Sequence, residues 1–194
     1  MSPVEKRIIR IGFLALLLIP FGTFVAMRVA SSPSFESKPS TPTPGVLWAQ
    51  HWHMSFVLYV NGKRVDLGSR EYMLRSKLAH FEDGDPSVIH KHTTGITLPY
   101  FLKTLKISLS DNCIQFGNLI PPETYCTNAT SSLHTIINGE DMGAVENYEL
   151  QNNDRILVYY GDDTPTYRKF LFNQVPPVPA FIEEKPDAVD AGHP

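Results

Sequence analysis

The sequence predicts an α+β domain, with a mixed sheet and one main helix packed on one face. Three observations carry this reading. Strand-like runs joined by turn residues open the domain, one stretch with helical apolar spacing follows, and further strands close it. Layering the helix on the sheet is how such an order buries the helix's single apolar stripe.

HWHMSFVLYV, then Asn61-Gly62 and KRVDL, reads as a β-hairpin, because Asn-Gly suits the two positive φ angles of a type I′ turn. Strand side chains alternate faces. Trp52, Met54, Phe56, Leu58 and Val60 therefore form an apolar, core-facing set, while His51, His53, Ser55, Val57 and Tyr59 share the other face. EYMLR reads as a short strand. KLAHFED, a turn at Gly84-Asp85-Pro86-Ser87, and VIHKH read as a second hairpin. If His80 pairs with His92, then Glu82 pairs with His90, and all four share one face. A slip of one residue would put the two strands' ligands on opposite faces.

The helix is TLPYFLKTLKI. Thr97 is its N-cap, Pro99 is tolerated in the first turn, and Leu98, Phe101, Leu102 and Leu105 repeat at i, i+3, i+4, i+7. Lys103 and Lys106 sit near the end where positive charge suits the dipole. CIQF is a short strand, and SLHTII, ending at Asn138-Gly139, is another. The continuous apolar run in DRILVYYG marks a central strand buried on both faces. TPTYRKFLF reads as a short final helix.

The ends of the chain differ from this middle. Lys6, Arg7 and Arg10 precede an uncharged, mostly apolar run over residues 11–27, and Arg28 follows it. The run spans roughly 26 Å as a helix. Residues 1–30 are thus expected to be a membrane anchor, with a cleaved signal peptide as the alternative. Either way the bulk of the chain is exported, and an uncleaved anchor leaves the N-terminus cytoplasmic in a single-pass cell-membrane protein. Residues 31–45 are rich in Ser, Pro and Thr and read as a linker. Residues 46–175 are the extracytoplasmic domain, and 176–194 form a disordered Pro- and acid-rich tail. A net charge of −3 without a basic block excludes nucleic acid as a partner.

The two cysteines, Cys113 and Cys126, form an even count in an exported domain, which favours a disulfide. A redox-active dithiol is the alternative, though no C-x-x-C is present. Asn128-Ala129-Thr130 is an N-glycosylation sequon.

The chemistry is concentrated in histidines. His51, His53, His80, His90 and His92 account for five of the seven. On a strand H-x-H puts two imidazoles side by side, as a Cu or Zn site needs, with a third ligand from a neighbouring strand. His80, His90 and His92 form the expected core of a site. Glu82 is a fourth member in one register, and His51 and His53 join if the first hairpin reaches them. With the cysteines paired, a His₂Cys copper site is not expected. The competing reading is a polar, hydrogen-bonded or pH-sensitive histidine face. His134 stands alone and reads as structural. The turn Glu82-Asp83-Gly84-Asp85 lacks EF-hand spacing and reads as solvated rather than as a Ca²⁺ loop. Catalytic residues are not identifiable, because neither a G-x-S-x-G nor a phosphate-cradling glycine loop is present.

The stretch YELQNNDRILVYYG resembles the closing loop and last strand of β-grasp domains, with Asn152-Asn153-Asp154 where many have Asp-Gly-Asp. Residues 50–161 resemble a group of exported, membrane-anchored single-domain proteins of ammonia-oxidising archaea and related microbes. The shared pattern is H-x-H, an N-G hairpin, an A-H-x-E strand, an H-x-H strand, T-G-I-T and a helix. The resemblance implies a β-grasp-like fold and an extracytoplasmic setting. Some members carry a generic protein-disulfide isomerase label. Three functions are therefore expected to compete. The first is transition-metal binding, in metal handling or as an accessory to a membrane protein complex. The second is thiol-disulfide exchange at Cys113 and Cys126, and the third is a non-catalytic interaction module.

Overall fold

A computed structural model describes residues 42–119, 121–143, 145–162 and 164–179. The expected anchor, most of the linker and most of the tail lie outside the described residues. Within them, no helix is long and apolar enough to cross a membrane.

The strands are β1 (Trp52–Val60), β2 (Lys63–Arg64), β3 (Ala79–Glu82), β4 (Asp85–Lys91), β5 (Ile107–Leu109), β6 (Cys113–Phe116), β7 (Glu123–Cys126), β8 (Ser132–Ile137), β9 (Glu140–Asp141) and β10 (Arg155–Gly161). The helices are α1 (Leu98–Thr104) and α2 (Pro165–Phe172). The main sheet runs β3-β4-β1-β10-β8-β9, with β2 paired to the far end of β1. The central pair, β1 and β10, is parallel, and its other neighbours are antiparallel, so the sheet is mixed and the domain is α+β. A smaller sheet, β5-β6-β7, stands beside it.

Local chemistry explains the elements. Asn61 and Gly62 have φ of 49° and 75°, and Asn138 and Gly139 have 55° and 92°, the positive pairs that join β1 to β2 and β8 to β9 tightly. Thr97 Oγ1 accepts from the Tyr100 N–H and caps α1. Leu98, Phe101, Leu102 and Leu105 are buried against Met54, Phe56, Leu58, Ile156 and Val158 in the larger core. The last strand is central, and its Ile156, Leu157, Val158 and Tyr159 are buried.

Three expectations change. The opposite face of the sheet is also covered, because Val57, Leu157 and Tyr159 are apolar there and pack with Leu171 of α2 in a second cluster. A strand buried on both faces requires cover on both. EYMLR is not a strand: the Tyr72 and Met73 N–H groups turn back to Ser69 and Arg70, Leu74 has φ 52°, and only Met73 bridges to Phe81. The second hairpin turns at Asp83-Gly84, whose φ angles are 56° and 75°, rather than at 84–87. That tight turn sets Glu82 opposite Asp85. The pairing then shifts between Glu82 and His80, so His80 faces His90 and not His92. The displacement from the expected pairing is two residues, which preserves the face.

Cys113 and Cys126 form a disulfide between directly opposed residues of β6 and β7, with Cα atoms 4.1 Å apart. The Thr127 N–H donates to the Asn112 carbonyl just beyond the pair, which marks it as the narrow, non-hydrogen-bonded kind where opposed side chains come closest.

Candidate metal centre

The sheet order β3-β4-β1 aligns three imidazoles. His80 is paired with His90, and His90 with His53, across three neighbouring strands. The next positions along β4 and before β1 carry His92 and His51. Alternation places His53 on the same face as Val57 and Tyr59, which pack toward α2, so the histidines occupy the opposite end of that face.

The five rings close a circuit. Ring centroids are 4.8 Å apart for His51–His53, 4.6 Å for His53–His90, 5.9 Å for His90–His80, 5.0 Å for His80–His92 and 4.8 Å for His92–His51. His53, His80, His90 and His92 are at most 8% exposed, and His51 is half-buried. Glu82, more open to solvent, closes one side: Oε2 is 3.3 Å from His80 Nε2, and Oε1 is 3.2 Å from His90 Nδ1. The first contact is a hydrogen-bond geometry. The second is an ion-pair distance only, so the buried His90 Nδ1 has no hydrogen-bond partner among the described residues, and neither has His92 Nδ1.

Burial sets the charge state. His53, His90 and His92 are each pulled down to about 4, first by desolvation and then by neighbouring imidazoles, with a carboxylate opposing. At neutral pH these three are uncharged and present lone pairs, the form that binds a metal.

His51, His53 and His90 could hold a metal ion: each offers one nitrogen, all within 4.8 Å of one another. A tetrahedral ion with bonds of ~2.1 Å separates its ligands by about 3.4 Å, a gap that modest ring rotation closes. The structure thus draws its most compact group from both hairpins, and places His80, His92 and Glu82 directly alongside.

Several residues that the sequence did not single out hold this group. The Ser76 carbonyl accepts from His80 Nδ1 at 2.8 Å and fixes that ring. The Asn152 side-chain oxygen accepts from the His53 N–H at 3.0 Å, and the His53 carbonyl accepts from the Asn153 N–H. Exposed Trp48 meets the His92 ring edge-on at 4.4 Å. Lys91 lies between His90 and His92 in sequence but points to the opposite face, fully buried. Its ammonium donates to Glu149 Oε1 and the Leu150 carbonyl and sits 4.5 Å over the Trp52 ring. Desolvation lowers the Lys91 pKa. Burial pushes the Glu149 carboxyl up, but Lys91 and the Gly95 N–H together hold it below the usual range. Gly95 has φ 73°, and a Cβ there would fall 2.0 Å from the Thr43 carbonyl oxygen, so only glycine lets the chain turn out after His92 beneath residues 43–45. The sequence gives no signal of the Lys91 and His53 hydrogen bonds, because Glu149, Leu150 and Asn152 lie 58, 59 and 99 residues away.

The other candidate residues lie elsewhere. His134 is 2.7 Å from Asp141, and Arg168 Nη1 reaches the same carboxylate at 3.0 Å, tying α2 to β8 and β9. Asn128 is exposed and donates to the Tyr160 hydroxyl and the Cys126 carbonyl.

No family model matches this chain, and neither a curated protein nor a solved structure does.

Proposed function

We propose that this is an extracytoplasmic, membrane-anchored domain that binds a transition metal, Cu or Zn, through strand histidines. Its role is in metal handling or as an accessory to a membrane complex. The observation that carries the reading is the closed circuit of five imidazoles on three adjacent strands, four of them buried and three held neutral. Burying so many imidazoles costs stability unless their nitrogens find partners, and two of these nitrogens have none among the described residues. Nitrogen and carboxylate donors on a stiff frame suit Cu(II) or Zn(II). The β-grasp reading of the fold is supported by the parallel pairing of the first and last long strands, each flanked by an antiparallel neighbour, and by the hairpin–helix–strand order.

Elemental analysis of the full chain, purified and then exposed to Cu or Zn and desalted, tests this. At least about one ion per chain is expected, with Trp48 emission quenched on Cu addition. Less than about 0.2 per chain would reject metal binding. His90→Ala, which removes the ring central to both pairings, is expected to weaken binding by about 100-fold or more.

One observation favours a second reading, thiol-disulfide exchange: the Cys113–Cys126 bridge is only half-buried. Turnover of a disulfide substrate with a thiol co-reductant, lost in Cys113→Ser, would establish it. Turnover no faster than the uncatalysed reaction would remove it.

A further inference from the structure

The Glu82 carboxylate divides the histidine circuit into two ligand sets. Oε1 lies toward His90, which belongs with His51 and His53. Oε2 lies toward His80, whose ring neighbours His92. The orientation of His80 is fixed. Its Nδ1 faces the Ser76 carbonyl and must donate to it, so in the neutral ring Nε2 carries a lone pair. That lone pair is aimed at a carboxylate oxygen 3.3 Å away. His92 Nδ1, in a residue only 4% exposed, has no hydrogen-bond partner among the described residues. The His92 ring lies 5.0 Å from the His80 ring, a spacing at which two imidazoles can share one ion.

We infer that the site takes two divalent transition-metal ions side by side, one on His51, His53 and His90 and one on His80 and His92, with the Glu82 carboxylate bridging them. This rests on the metal reading above and extends it from one ion to a pair. A bridging carboxylate presents one oxygen to each ion, and ions about 3.5–4 Å apart form the clamp that polarises a shared oxygen ligand. The ligand class of such a pair is a small oxygen donor held between the ions, such as water, hydroxide or a carboxylate. The Glu82 side chain is 37% exposed against 10% for His80 and His90, and leaves that side accessible.

The stoichiometry of the unmodified full chain decides the matter without relying on any variant. Titration with Cu(II), followed by desalting, is expected to leave two ions per chain. The integrated paramagnetic resonance signal should fall well below two spins, because carboxylate-bridged Cu(II) ions couple. The double variant His80→Ala/His92→Ala is expected to retain one ion with a full one-spin signal. One ion per unmodified chain, with a full one-spin signal, would overturn the pair while leaving the single-metal reading intact. Two ions with two uncoupled spins, or two ions still held by the double variant, would place the second at an adventitious surface site and also overturn it. No bound ion at all would overturn both readings. Glu82→Gln keeps the shape and removes the bridging charge, and is expected to lower affinity for the second ion at least 10-fold more than for the first.

Discussion

Neutral imidazoles packed together are a liability in acid. His53, His90 and His92 titrate near 4 when folded and near 6.5 when unfolded, so between those values the unfolded chain binds protons that the folded chain refuses. Stability is therefore full above pH 6.5 and is lost as pH falls toward 4, by on the order of several kcal/mol in total. Urea unfolding of the metal-free protein at pH 7.5, 5.5 and 4.5 should show a falling midpoint, and a flat profile would refute the burial argument. On the opposite face, Lys91→Met removes the donor to the Leu150 carbonyl and leaves Glu149 without its cation. The expected loss is about 3 kcal/mol. That corresponds to a melting temperature lower by roughly 10 °C for a domain of this size. If the melt is unchanged, the buried ammonium is not holding β4 to the loop at 149–150.

At the scale of elements, the Cys113–Cys126 bridge closes a short loop between β6 and β7. Its removal in Cys113→Ser/Cys126→Ser should cost about 3 kcal/mol through loop-closure entropy. Metal stoichiometry should be unaffected, since β5-β6-β7 is a separate sheet from the one that carries the histidines. Loss of bound metal in that variant would tie the two sheets together. Much of this organisation was legible in the sequence because short-range chemistry dictates it. Asn-Gly fixed two turns, Thr97 and the apolar stripe fixed α1, and alternation fixed the histidine face. What escaped was set by distant partners. The Asp83-Gly84 turn competed with a Gly-Asp-Pro-Ser turn centred two residues on, and the irregularity between His80 and Glu82 set His80 opposite His90. That His53 also pairs with His90 depends on β4 lying beside β1, which no local pattern specifies. The support of His53 by Asn152 spans 99 residues and leaves no periodicity to read.

For the whole molecule, metal that binds only the folded form must raise its stability. At a free ion concentration 100 times the dissociation constant the gain is about 2.7 kcal/mol per site. Calorimetry with and without Zn should show the melting temperature rising with ion concentration, and no rise would argue against a preformed site. Asp154 links this global state to the cluster. It is almost fully buried and accepts from Asn138, Tyr148 and the Gln151 N–H, and burial beside it pushes the Tyr148 hydroxyl up to about 12. Its own carbonyl accepts from Ser55, two residues after His53. The parallel seat of β10 beside β1 has a consequence in time. All five imidazoles have been synthesised by residue 92, yet β1 lacks its inner neighbour until residues 155–161 arrive. A chain that stops at Glu140 carries every ligand and no closed frame, and is expected to hold Cu or Zn no better than an unstructured peptide of the same residues. Ion capture would then report that the chain has been finished, and an ion offered too early would find donors without a cage.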